Sequence, residues 1–135
     1  MIENAEFAYI EHQVRKLFKM NLRADRKAIK MTLTNSSDDI SPHIKERMNR
    51  LDKQITGMET LYHVLSENEK LVLQRHYVAG LDWDCVGEEF AQKWGEETRK
   101  SKRSLINYQN RAFRKMADYV IRNREDFDFQ WLMEL

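Results

Sequence analysis

Four Gly and one Pro in 135 residues are too few turn formers for a sandwich or barrel, which needs a turn roughly every eight to twelve residues. A single cysteine, Cys85, excludes an internal disulfide framework and fits a reducing compartment. No apolar run approaches the roughly 20 residues that cross a bilayer. The opening "MIENAEFAYIEHQ" is acidic and polar where a signal peptide needs a basic and then an apolar segment. There is no Gly-rich phosphate loop, no nucleophile elbow and no HExxH. His12, His43, His63 and His76 lie far apart, and none pairs with Cys85 at metal-ligand spacing. Glu88–Glu89 and Glu96–Glu97 are adjacent on the chain, so on a helix they point apart and read as solvated acids. These absences predict a cytoplasmic helical protein that is not an enzyme, with no catalytic residue, metal, cofactor or membrane partner. Cys85, between Asp84 and Val86, is expected as a small core residue.

What is present is a chain 33% charged and 41% hydrophobic, able to bury a core. The formal net charge of +1 conceals an uneven distribution. Counting Lys and Arg against Asp and Glu, residues 1–31 hold seven and four, and 32–97 hold seven and thirteen. Residues 98–124 hold nine and one, and the last eleven hold none and four.

Phe7, Ile10, Val14, Leu17 and Phe18 at helical spacing predict an amphipathic helix over 2–20. "RADRKAIKM" either continues it or forms a short second helix. "TNSSDDISP" (34–42) reads as a linker. Ser41 as cap and Pro42 at the first helical position open the next helix. There Ile44, Met48, Leu51, Ile55, Met58, Tyr62 and Leu65 alternate four and three apart, an a/d seam. It can pack inside the chain's own bundle or join two copies into a homodimer, and Gly57 weakens the helix by roughly 1 kcal/mol relative to Ala. Ser66 and Glu69 have capping-box spacing, and Leu71, Val72, Leu73 and Tyr77 form the apolar face that follows. Gly80 is the expected left-handed stop. Asp82 then caps a helix whose stripe is Trp83, Val86, Phe90 and Trp94, closed by Gly95.

Beyond a polar turn, "RKSKRSLINYQNRAFRK" (99–115) carries seven cations and no acid. On a helical wheel centred on Gln109, with about 100° per residue, Leu105, Ile106, Ala112, Phe113, Met116 and Val120 share one side. Arg103, Ser104, Asn107, Arg111, Arg114 and Lys115 fall on the other. A face meant only for solubility usually intersperses Glu with Lys; here cations, an amide and a hydroxyl stand together. Lys and Arg neutralise phosphates, while Arg grips guanine and Asn pairs with adenine. The bland alternative is an ordinary solvated face. A short helix, a turn and then a basic helix is the order of a helix-turn-helix reader.

"LSENEKLVLQRHYVAGLDWDCVGEEF" followed by "SLINYQNRAFRKM" resembles region four of bacterial sigma factors. The matching parts are Leu65, Glu69, Arg75-His76-Tyr77, Gly80-Leu81, Val86-Gly87-Glu88-Glu89-Phe90 and Arg111-Ala112-Phe113-Arg114-Lys115-Met116. The segment from Phe90 to Leu105 is about eight residues longer than the usual tight turn of that region. The whole layout, a helical N-terminal half before a sigma-like domain, resembles the ArpU/RinA-type transcriptional regulators of phages and mobile elements. That resemblance implies binding upstream of late or packaging genes and activation of transcription, with RNA polymerase as a further partner.

The expected fold is all-α, with N-terminal helices and a long heptad-patterned helix leading into a C-terminal sigma-like helix-turn-helix. Its expected parts are an N-terminal segment and linker (1–40), a long helix (41–65), a DNA-binding domain (66–124) and an acidic-aromatic tail (125–135). The expected function is sequence-specific binding of double-stranded DNA. Arg103, Ser104, Asn107 and Arg111 would make base or mixed contacts. Lys100, Lys102, Arg114 and Lys115 would anchor phosphates, with Tyr108 at the edge. Two other readings fit the same pattern: a small-terminase-like DNA-packaging subunit, and a module whose basic helix binds an acidic protein. The tail, "EDFDFQWLMEL", either packs back on the domain or contacts a partner.

Overall fold

Helix-forming sequence with apolar residues three and four apart yields helices throughout, and the computed structural model is all-α over the residues it describes, 2–34 and 42–135. In chain order these are α1 (Ile2–Lys19), α2 (Leu22–Thr34), α3 (Pro42–Tyr62), α4 (Glu67–Val72) and a π-helical segment (Leu73–Val78). Then come α5 (Trp83–Trp94), a 3₁₀ turn (Glu96–Thr98), α6 (Lys102–Asn123) and α7 (Gln130–Met133). No described helix is long and apolar enough to cross a membrane. The residues after "LFKM" start a separate helix, since the chain turns at Met20–Asn21. The Ser41 cap and all of the linker but Thr34 and Pro42 lie outside the described residues.

The main core forms where α1 lies along α6. Ile10, Val14 and Leu17 are fully buried, as are Ala112, Phe113, Met116 and Val120. Phe18 meets Phe113 edge-on at 6.5 Å. Leu51, Leu61 and Leu65 enter the same core, with Ile55, Met58 and Tyr62 packed against it. From Leu51 to Leu65 the heptad seam is therefore engaged within its own chain, and α2 lies along α3 through the Arg23–Glu59 and Arg26–Asp52 pairs. The segments expected over 1–40, 41–65 and 66–124 share this one core. A smaller cluster of Val72, Val86, Phe90 and Leu105 joins α4, α5 and the start of α6.

The tail packs back on the domain. Leu132 is fully buried, Gln13 Nε2 donates to its carbonyl at 3.0 Å, and Tyr9 donates to Met133 O at 2.7 Å. This docking explains Gly57. A β-carbon there would overlap the Trp131 ring, so the residue that weakens α3 as a helix is the one that admits α7 against it.

Gly57→Ala should therefore lower stability by about 1–3 kcal/mol through overpacking, despite alanine's better helix propensity. Adding Trp131→Ala removes the clash, and the Gly57 substitution should then cost less in the double variant than alone. Urea denaturation of all four proteins in the cycle checks this; a stabilising Gly57→Ala would refute the close approach.

Candidate nucleic-acid interface

The interface begins with caps. Ser66 accepts the Glu69 amide while Glu69 Oε1 accepts the Ser66 amide at 2.8 Å, so the capping box that opens α4 is complete. Asp82 accepts the Cys85 amide at 2.8 Å to start α5, and Ser101 accepts the Ser104 amide at 3.2 Å to start α6. Gly80 (φ 78°) and Gly95 (φ 104°) take the positive φ that ends the preceding elements and redirects the chain. The long connection between α5 and α6 is ordered by its own contacts. Arg99 binds Glu96 through Nε (2.6 Å) and Nη2 (2.9 Å), and Glu88 through Nη1 (2.9 Å). Arg99 thus ties the turn and leaves the list of open cations.

Rotation of α6 is set by what it buries. Leu105 enters the small cluster, and Ala112, Phe113, Met116 and Val120 enter the main core. Between them Gln109 is buried, and its Oε1 lies 2.7 Å from His76 Nδ1. The His76 ring stacks on Trp83 at 3.5 Å and 16°, so one histidine joins the π-helical segment, α5 and α6.

This rotation turns Arg103, Asn107, Arg111 and Arg114 to solvent, as the wheel predicts, while Lys102, on the Gln109 side of the wheel, is exposed at the first position of α6. Lys100 is half-buried in the turn. Among the described residues none of the five cations at 100, 102, 103, 111 and 114 has a carboxylate partner. Tyr108 is half-buried, its ring 6.0 Å from Phe90 and 5.4 Å from the Arg111 guanidinium, so it does stand at the edge of the face. Ser104 is half-buried with its hydroxyl 3.2 Å from that of Ser101, at the rim.

Lys115 does not fit the expected role. Its ammonium lies 2.8 Å from Oε1 of Glu69, a carboxylate with no exposed surface whose Oε2 has no hydrogen-bond partner. An anion buried in this way needs a cation held beside it. Lys115 is therefore a structural counter-ion joining α6 to α4. Burial raises the Glu69 pKa, but hydrogen bonds from Lys115 and Ser66 outweigh it and leave the carboxyl below its ordinary value. Cys85 also departs from expectation: it is exposed, because the buried side of α5 falls on Val86, Gly87, Phe90 and Ala91. Its hydrogen bond to Asp82 and the nearby acids push the thiol pKa up, which disfavours a reactive thiolate.

Sequence reasoning missed three contacts: Lys115–Glu69, His76–Gln109, and Arg15, which lies over Phe113 at 4.2 Å with Nη2 3.4 Å from Asn110 Oδ1. The capping box pointed to Glu69, but a helical wheel of α6 alone cannot show what lies beside Lys115. Compared with protein-family models, curated proteins and solved structures, the chain matches none.

Lys115→Gln should lower stability by about 1–3 kcal/mol near neutral pH, a value below that of a fully buried pair because the lysine is partly exposed. Glu69's depressed pKa stabilises the fold above the unfolded carboxylate range and ceases to do so as pH falls through its native value. The gap between wild type and Lys115→Gln should accordingly narrow below about pH 4. A gap independent of pH, measured by urea denaturation, would contradict the pairing.

Proposed function

We propose that this chain is a sequence-specific DNA-binding regulator of transcription that places α6 in the major groove. The observation that carries the reading is the row of Arg103, Asn107, Arg111 and Arg114, exposed on a helix locked by its opposite face, with Lys102 exposed at its first position; among the described residues none of these cations has a carboxylate partner. Lys100, Lys102 and Arg114 suit phosphates, whereas Arg103, Asn107 and Arg111 can reach base edges. The order α4, α5, α6, with the capping box and the Gly80 turn, supports the likeness to sigma region four. The likeness to ArpU/RinA-type regulators supports reading the chain as an activator of phage or mobile-element genes, in a bacterial cytoplasm with RNA polymerase as a further partner. An operator with two half-sites would require two copies. The α3 seam does not favour that pairing, because α2 and the main core already cover much of it.

Selection of bound fragments from random duplex DNA should return an enriched motif. On that motif Arg103→Ala or Asn107→Ala should cost about 1–3 kcal/mol and relax base preference, while Arg114→Ala should weaken all sequences alike and flatten the salt dependence by about one unit. Equal losses on every sequence for all three variants would reduce α6 to non-specific binding. No retention on DNA at about 0.15 M salt would favour an acidic protein partner instead, and sedimentation as a large ring would favour a packaging subunit.

A further inference from the structure

We propose that the C-terminal turn of α1 is a second phosphate-binding surface, with Lys16 and Lys19 contacting the duplex backbone beside the groove that α6 enters. This rests on the DNA-binding reading of α6. The two helices run antiparallel: Arg124 pairs with Glu6 at one end, and Arg15 meets Asn110 and Phe113 at the other. The C-terminal end of α1 therefore points toward the basic half of α6.

Charge on the exposed stripe of α1 gathers at that same end. Asn4, Ala5, Ala8 and His12 are exposed and carry no carboxylate or Lys/Arg charge; Lys16 and Lys19 follow. The nearby carboxylates are already engaged, Glu6 by Arg124 and Glu11 by Arg15. Lys16 is exposed and, among the described residues, has no acidic partner. Among the described residues Lys19 is held by neutral groups: its ammonium lies 2.8 Å from the Tyr77 carbonyl and 4.2 Å from the centre of that ring. Tyr77 in turn donates to Arg15 O at 3.0 Å and packs on Phe113 at 4.7 Å, which fixes the π-helical segment between α1 and α6. The result is a cationic corner at the last turn of α1, where the helix dipole favours cations but, among the described residues, no carboxylate pairs with Lys16 or Lys19; Arg15 beside it reaches Asn110 on the flank of α6. A solvating face would mix signs along its length. A polyanion is the partner whose charge this corner complements, and releasing its counterions supplies the driving force.

The test is the salt dependence of binding of the full chain to a random-sequence duplex, followed by fluorescence anisotropy between about 0.05 and 0.2 M salt. Lys16→Gln should reduce the slope of log K against log salt by about 0.9, and Lys16→Gln with Lys19→Gln by about 1.8, one released phosphate contact each. Among the described residues Lys16 has no partner, so its variant should fold as wild type and carries the test even if Lys19→Gln loosens Tyr77. Lys45→Gln removes an equal exposed charge from α3 and should leave the slope unchanged. An unchanged slope in Lys16→Gln, or an equal drop in Lys45→Gln, overturns the proposal. If α1 variants have no effect while Arg114→Ala lowers the slope, only the α1 surface fails. If wild type binds no duplex, the reading of α6 fails with it.

Discussion

One helix belongs to both hydrophobic clusters, and this constrains everything else in the molecule. The early turns of α6 are held by Leu105 against Val86 and Phe90, and its later turns by Phe113, Met116 and Val120 against α1. Each large side chain so buried contributes about 1.5–3 kcal/mol. A slip of one residue would rotate α6 by about 100° and withdraw these groups from both clusters at once. The outer face is thereby oriented chiefly by what the opposite face buries, with Lys115 on Glu69 at its flank. Most polar residues on it carry no packing of their own.

Buried polar groups then register the helices along their length. Apolar packing tolerates small sliding movements, whereas a buried carboxylate needs its counter-ion at hydrogen-bond distance. Glu69 serves two roles here, closing the cap of α4 through the Ser66 amide and meeting Lys115 across the interface. His76 does the same for a neutral group, bonding Gln109 on one side and stacking on Trp83 on the other. Both anchors start in the α4 and π-helical stretch, so a segment of twelve residues positions the candidate reading helix from two points. A π-helical run widens the helix locally, and this one carries His76 and Tyr77, the two rings that reach α6.

Features set by neighbours in sequence were legible. Ser66 and Glu69 announce a cap because both partners lie within one turn, and the wheel around Gln109 separates buried from exposed residues with few exceptions. Features set across the fold were not. Lys115 and Glu69 are 46 residues apart, and His76 and Gln109 are 33 apart. From the chain alone Lys115 is one more cation on a basic face, and only packing turns it into a counter-ion. Gly57 shows the same limit: its helix-weakening effect is intrinsic, but its purpose depends on Trp131 from the far end of the chain. Cys85 failed for a different reason. Residue type alone suggested burial, although the stripe of Val86 and Phe90 already placed position 85 off the apolar face.

On the proposed DNA-binding reading, the same pairing principle delimits where α6 would meet a polyanion. Nine cations crowd residues 98–124, but those at the edges are neutralised: Arg99 by Glu88 and Glu96, Lys115 by Glu69, Arg122 by Asp118 and Arg124 by Glu6. What remains open runs from Lys100 to Arg114. At about 1.5 Å per residue, the helical part from Lys102 to Arg114 is about 18 Å long, against a major groove about 12 Å wide. The open row is thus long enough to cross the groove and touch phosphates at both edges. It is too short to extend usefully along the duplex. The pairs at the ends have structural reasons of their own, tying the turn, the buried Glu69 and α1, so what they leave open between them bears on the proposed function more directly than the count of basic residues does.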